Sequence, residues 1–347
     1  VNGLPPKGPQ SKAGDGVAAT SEQMLRGAEA TSPTAMPFNA WRSIARRVWL
    51  NSDRHHLGLM SAGIAFYAFL SFVPLLGALV MSYGIIADPE AVGRHMAFMI
   101  EVLPTDAARL VNEQLVTLLV TASKKKGIAL IVAMIISVFS ASRAAGAMIE
   151  ALNVIYEERN RRGLVRNWLV AMALIVAAVA IALTGLAAAA LFAFAEAVFT
   201  SAGSFVAPLA RALAWTTAAL LCCLTLGAMY RFAPDRSDAR WQWLSVGAAM
   251  GTGLWLVATL LFGVYAANFG NYDATYGSLG AVAVLLMWLY VSAYAVLVGA
   301  LVNAEIERQT ARDTTTGLPR PMGRRGAHMA DISAALDEAG ANADLRQ

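Results

Sequence analysis

The sequence predicts an all-α fold: a polytopic bundle of six membrane-spanning helices, with amphipathic helices at its surfaces and disordered tails. Three observations carry this. Of 347 residues, 57% are hydrophobic and 14% charged, with a mean hydropathy of +0.54, whereas soluble domains are about one quarter charged. No charge interrupts the run between Asp273 and Glu305, and about 20 apolar residues already cross a hydrocarbon core of ~30 Å. Finally, lysine and arginine divide unevenly between the segments that join the apolar runs, as membrane topology requires.

Residues 1–37 are rich in Pro, Gly, Ser and Ala without an apolar period, and read as a disordered tail. In FNAWRSIARRVWLN, Trp41, Ile44, Ala45, Val48 and Trp49 share one helical face and Arg42, Arg46 and Arg47 lie off it. That pattern suits a helix in the headgroup layer; the alternative is a helix packed on the protein's own cytoplasmic side. A membrane domain is expected over 38–310. Its first span, 57–86, holds Pro74 near its middle. Proline removes a helix hydrogen bond, so this is a kinked, tilted helix or two half-helices. Such breaks line sites in some membrane proteins and are purely structural in others.

Residues 88–126 read as an outward helical loop. Val92, Met96, Met99, Val102 and Leu103 form one amphipathic stretch; Leu110, Val111, Leu115, Leu118 and Leu119 form a second after Pro104-Thr105-Asp106; Lys124, Lys125 and Lys126 close it. The second span, 127–156, places Arg143, Gly146, Glu150 and Asn153 on one face, with Glu157 beyond. A charge at membrane depth is costly and faces protein or water, so Arg143 either meets a partner on another span or snorkels to the headgroups. Glu150 shares its face about two turns away. Spans three to six are expected at 168–194, 206–230, 244–266 and 277–304. The fifth carries the Gly247/Gly251 pair, a spacing that favours close helix contact. In the sixth, Ser292, Gly299 and Asn303 share a face suited to packing. Residues 311–347 are polar and expected to be disordered.

Six spans leave both termini on one side. The segments on that side carry most of the 27 basic residues, including Arg42, Arg46, Arg47, Arg54, the four arginines of 157–167, the three of 231–241 and the six from Arg308 onward. The opposite side has Arg94, Arg109 and the three lysines. Positive residues stay cytoplasmic, so both termini are expected inside a bacterial plasma membrane. The pI of 9.2 then reflects topology, and no nucleic-acid partner is expected. No cleavable signal peptide is read, because the first apolar run begins near Leu57.

Chemistry is sparse. Cys222 and Cys223 are neighbours on a helix and point about 100° apart, so they do not bridge. His55, His56, His95 and His328 lack the i, i+4 partner of a zinc helix. No P-loop, GxGxxG or GxSxG occurs. No metal, cofactor or catalytic residue is assigned, and a nuclease, which needs clustered carboxylates with metal or paired histidines, is not expected.

Four segments together resemble one family: SAGIAFYAFLSFVPLL (61–76), SRAAGAMIEALNVIYE (142–157), MYRFAPD (229–235) and NYDATYGSLGAVAVLLMWLYVSAYAVLVGALVNAE (271–305). As a set they are similar to the YihY/BrkB family of bacterial inner-membrane proteins, over about residues 40–310. The resemblance implies an all-helical, six-span inner-membrane protein and leaves its molecular activity open. Its names combine a virulence label with an older ribonuclease label. By the family pattern Pro74, Arg143, Asn153, Tyr156, Tyr230, Arg231, Tyr276, Gly277, Trp288, Tyr290 and Glu305 carry over, with no catalytic assignment.

The candidate site is therefore a set of polar residues at membrane depth. An inner group comprises Arg143, Glu150, Asn153, Tyr156, Tyr230, Arg231, Asn303 and Glu305, with Glu305 facing an arginine. An outer group comprises Asn268, Asn271, Tyr272, Asp273 and Tyr276, for which an interfacial tyrosine belt is the alternative. The expected function is transport or rearrangement of a lipid or other envelope amphiphile; the alternative is a non-transporting membrane scaffold. Membrane lipids are the expected partners, with a homo-oligomer or an envelope protein as further possibilities.

Overall fold

A computed structural model describes residues 27–86, 126–177, 206–268 and 278–337. The expected 88–126 loop up to residue 125, the end of the third expected span, and Asn271, Tyr272, Asp273 and Tyr276 lie outside the described residues, as does the side chain of Asn268; Lys126 opens a helix. A short 3-10 turn, Pro33–Ala35, precedes α1 (Phe38–Arg54), α2 (Leu57–Ile86) and α3 (Lys126–Ile155). These are followed by α4 (Leu164–Ala177), α5 (Val206–Phe232), α6 (Trp241–Asn268), α7 (Ser278–Gln309) and the single turn α8 (His328–Asp331). Among the described residues there is no strand beyond one isolated bridge, Ala239 to Thr315.

Three described helices are long and apolar enough to cross a membrane: Ile135–Ile155 in α3, Trp241–Tyr265 in α6 and Val282–Gln309 in α7. Leu57–Phe72 and Leu164–Ala177 are shorter apolar stretches. α2 runs unbroken through Pro74, so two separate half-helices are not formed.

α7 is the hub: it packs against α1, α2, α3, α6 and α8, while α2 pairs with α3 and α5 with α6. Small residues explain how so many neighbours reach it. Ala293, Ala300 and Ala304 are buried along with Leu297 and Leu301. At the crossing with α6, a methyl on Gly247 would sit 2.2 Å from the Gly299 carbonyl oxygen, and one on Gly299 would sit 3.0 Å from Gly251 Cα. Side-chain-free surfaces let the two backbones meet. The face expected from Ser292, Gly299 and Asn303 is the one used: Trp255 Nε1 of α6 donates to Ser292 Oγ (3.1 Å) and Asn303 reaches the α6 backbone.

The expected disorder of 1–37 and 311–347 is overturned for the described parts, 27–37 and 311–337. Arg325 is buried, and its guanidinium donates to the carbonyls of Arg320 (3.1 Å), Arg312 (3.2 Å), Ala311 (2.7 Å) and Ala330. The Asp313 carboxylate accepts from Thr315 and from the Arg320 N–H. Thr310 Oγ1 donates to the carbonyls of Ala28 and Ala30, which fastens the N-terminal segment to the end of α7. Met329, Ala330 and Ala335 are buried as well, so residues 311–337 form an ordered C-terminal strap. Order here comes from charge-assisted hydrogen bonds to backbone, which hydropathy does not register.

α1 corrects a second expectation in part. Ala40, Ile44 and Val48 pack inward, but so do Arg47 and Asn51, whereas Trp49 is 79% and Phe38 81% exposed. The helix packs on α7 with one face and carries Phe38, Trp49 and Leu50 on the other, with Arg42 and Arg46 exposed.

Candidate functional site

The inner group proposed from sequence does not form one cluster. The structure divides it between an open cleft and a buried network.

The cleft lies between α2, α3 and α4. Its volume is about 680 Å3, and its lining includes Tyr67 of α2, Arg143, Gly146 and Glu150 of α3, and Asn167 and Trp168 of α4. Arg143 is exposed and its guanidinium lies over the Phe139 ring at 5.2 Å. Among the described residues it has no ion-pair partner. Glu150 is also exposed; its Oε1 accepts from Asn160 Nδ2 (3.1 Å), which donates equally to Asn167 Oδ1 (3.1 Å). Neither charge neutralises the other, although both face one cavity. Next to it along α3 is a second groove of about 400 Å3, lined by Ile135, Val138, Phe139, Ser142 and Trp168. Ser142 and Trp168 line both. A charged compartment thus continues into an apolar one along α3.

The buried network lies where α1 and the C-terminal strap close the bundle. Glu305 is fully buried: Arg47 Nε donates to its Oε2 and Asn51 Nδ2 to its Oε1, both at 2.6 Å. The expected arginine opposite Glu305 is therefore Arg47 of α1. Asn303 faces another helix. Its Nδ2 donates to the Leu244 carbonyl (3.0 Å) and its Oδ1 accepts from the Gly247 N–H (2.7 Å). Tyr230 is buried and its hydroxyl donates to the Val296 carbonyl of α7 (2.7 Å). Asn153 Oδ1 accepts from the Asp235 N–H (2.8 Å). Tyr156 is buried with Arg236 over its ring at 4.1 Å.

Arg231 belongs to neither site. It donates to the Ala239 carbonyl (2.6 Å), pairs with Asp238 at 3.6 Å and lies over the rings of Phe232 and Trp241. It fastens the α5–α6 turn.

Sequence reasoning missed the centre of the network. Arg236 and Glu307, each 0% exposed, form a two-pronged pair at 2.7 and 2.9 Å. Burial alone would lower the Arg236 pKa, but the Glu307 carboxylate outweighs it and drives the value up. Arg162 does similar work nearby, donating to Asp235 (3.1 Å) and to the carbonyls of Phe232, Ala233 and Pro234 that end α5. A signal was present: Asp235 and Arg236 directly follow the MYRFAP stretch, and Glu307 continues the α7 register. Among the described residues no group of three or more His, Cys, Asp or Glu is arranged to hold a metal ion.

Apolar helices with outward-facing Ile131, Ile135, Leu260 and Leu261, charges confined to a cleft or an end, and three helices of spanning length define a helical integral membrane protein. The chain belongs to the virulence factor BrkB family, which matches residues 48–322. It is 27% identical over 195 residues to YfkH of Bacillus subtilis (strain 168), a protein named ribonuclease-like, covering 54% of this chain and 70% of that one. It is 26% identical over 216 residues to a UPF0761 membrane protein of Idiomarina loihiensis, covering 61% and 72%. With the UPF0761 membrane protein of Psychromonas ingrahamii it shares 23% identity over 265 residues, 75% of this chain and 86% of the other. No solved structure matches.

Proposed function

We propose that the protein binds a phosphate-bearing amphiphile in the Arg143 cleft and moves or rearranges it within the bacterial inner membrane, without catalysing a covalent reaction. The observation that supports this is the joining of an exposed arginine, without an ion-pair partner among the described residues, to an apolar groove on the same helix. Guanidinium matches phosphate geometry through paired hydrogen bonds, and a charge at this depth needs a polar ligand or water. Arg143 lies twelve residues before Ile155, about 18 Å along α3. With six spans and both termini cytoplasmic, the cleft opens toward the inner leaflet, and the network around Glu305 and Glu307 seals the cytoplasmic end. The exposed Phe38, Trp49 and Leu50 of α1, flanked by Arg42 and Arg46, fit the headgroup layer of that leaflet.

The test is lipid occupancy. Protein purified in mild detergent, as wild type and Arg143→Ala, is examined by native mass spectrometry, then reconstituted for a lipid-translocation assay. Defined phospholipid on wild type, absent from the variant, together with lost translocation, is the expected result. Equal lipid occupancy and equal translocation in the variant would sink the reading.

A second reading, a scaffold that supports envelope integrity, draws on the dry cytoplasmic end, where Arg236, Glu305 and Glu307 are sealed from solvent. It predicts a stable protein partner and unchanged lipid occupancy in Arg143→Ala.

A further inference from the structure

We infer that the cleft selects a zwitterionic aminophospholipid, with phosphate on Arg143 and a primary ammonium on Glu150; this deepens, and rests on, the amphiphile reading above. Three features of α3 and its neighbours point to it. First, the two charges face one cavity without pairing with each other, so each is open to a ligand group of opposite sign. A purely anionic headgroup would satisfy Arg143 and bring negative charge toward Glu150. Second, the order along α3 matches an inner-leaflet lipid. The apolar groove at Ile135, Val138 and Phe139 comes first, then Arg143, then Glu150 nearest the tail end of the bundle. Acyl chains, phosphate and amine follow that sequence from membrane interior to water. Seven residues separate the charges, about 10.5 Å between Cα positions, a gap that a phosphate–ethanolamine headgroup with a hydrogen bond at each end can span while the Arg143 guanidinium stays over Phe139. Third, Glu150 is oriented. Asn160 donates to its Oε1 and at the same time holds Asn167, so one carboxylate oxygen is fixed and Oε2 remains for the ammonium. The rings of Tyr67 and Trp168 in the same lining offer further cation-binding faces.

The experiment uses delipidated full-length protein and native mass spectrometry with equimolar phosphatidylethanolamine and phosphatidylglycerol of matched acyl chains. The proteins are wild type, Glu150→Gln, Glu150→Asp and Arg143→Ala. Both positions are exposed, so thermal unfolding is expected to match wild type in all variants. Wild type is expected to favour phosphatidylethanolamine about tenfold, the worth of one charge-assisted hydrogen bond. Glu150→Gln should bring the ratio near one while keeping total lipid, Glu150→Asp should retain the preference, and Arg143→Ala should lose both lipids. An unchanged ratio in Glu150→Gln, with lipid lost in Arg143→Ala, overturns the aminophospholipid assignment alone. Lipid retained in Arg143→Ala overturns both readings. Glycerophosphoethanolamine, the same headgroup without acyl chains, is added as competitor; displacement at equimolar concentration would assign the site to a soluble phosphoamine and overturn the lipid.

Discussion

Replacing Glu307 by glutamine keeps the shape of the side chain and removes its charge. Arg236, 0% exposed with both its terminal nitrogens on that carboxylate at 2.7 and 2.9 Å, then faces a neutral acceptor in a site closed to bulk solvent. Tyr156 offers only its ring face and Thr314 a hydroxyl aimed at the lost carboxylate oxygen. Breaking one side of a buried ion pair costs about 3–5 kcal/mol, because the remaining charge is uncompensated. At about 2–4 °C per kcal/mol, the melting temperature should fall by about 6 °C or more. The double variant Arg236→Met with Glu307→Leu removes both charges and should recover most of that loss, since apolar replacement of a whole buried pair is often neutral or stabilising. Thermal unfolding in one detergent, followed by tryptophan fluorescence, measures all three proteins. A Glu307→Gln shift below about 2 °C, or a double variant no more stable than Glu307→Gln, would refute the argument that the pair is sealed from solvent.

Other consequences are as direct. Gly299→Ala sets a methyl 2.6 Å from the Tyr230 hydroxyl and 2.7 Å from the Gly247 carbonyl oxygen; backbone cannot yield there, so a loss of about 1–3 kcal/mol or more is expected in the same unfolding assay. Arg325→Ala strips four carbonyl contacts from the strap; hydrogen exchange should show residues 311–337 losing protection while α6 and α7 keep theirs. Burial holds the His55 pKa below 6.5, with the nearby Glu157 opposing that shift. A depressed value means His55 supports the fold above pH 6.5 and withdraws that support as pH falls through and below it. Wild type should therefore lose more melting temperature than His55→Gln between pH 7.5 and 5.5.

The helical membrane character and the role of α7 were legible because both rest on apolar pattern: a charge-free run longer than a span, and Ser292, Gly299 and Asn303 in one register. Gly247 and Gly251 were legible for the same reason, as gaps where a backbone can approach. Glu305 asked for an arginine, but Arg47 could be chosen only once α1 was seen to turn a basic position inward. Arg143 and Glu150 read as sharing a face two turns apart, but the cleft they line became visible only once α2 and α4 closed a wall on either side of them. Glu307 was passed over because one residue separates it from Glu305, and such neighbours point to nearly opposite sides of a helix. Only tertiary structure supplies a burying surface on both, α1 for one and the α5–α6 turn with the strap for the other. The strap itself was invisible to hydropathy, since Arg325 and Asp313 hold it by hydrogen bonds to backbone.

The hub of the bundle is also the last of the described long helices in chain order. α1, α2, α3 and α6 all emerge from the ribosome before α7, the helix that receives Arg47, Asn51, the Tyr230 hydroxyl and the glycine face of α6. Until α7 is made these groups wait without their final partners, and contacts spanning more than 250 residues, such as Arg47 with Glu305, require it. Loop closure of that range is slow. A chain made only as far as α6 therefore lacks the surface that buries Arg47, Asn51 and the α6 glycines, so its earlier helices expose polar and small-residue faces that the finished bundle hides.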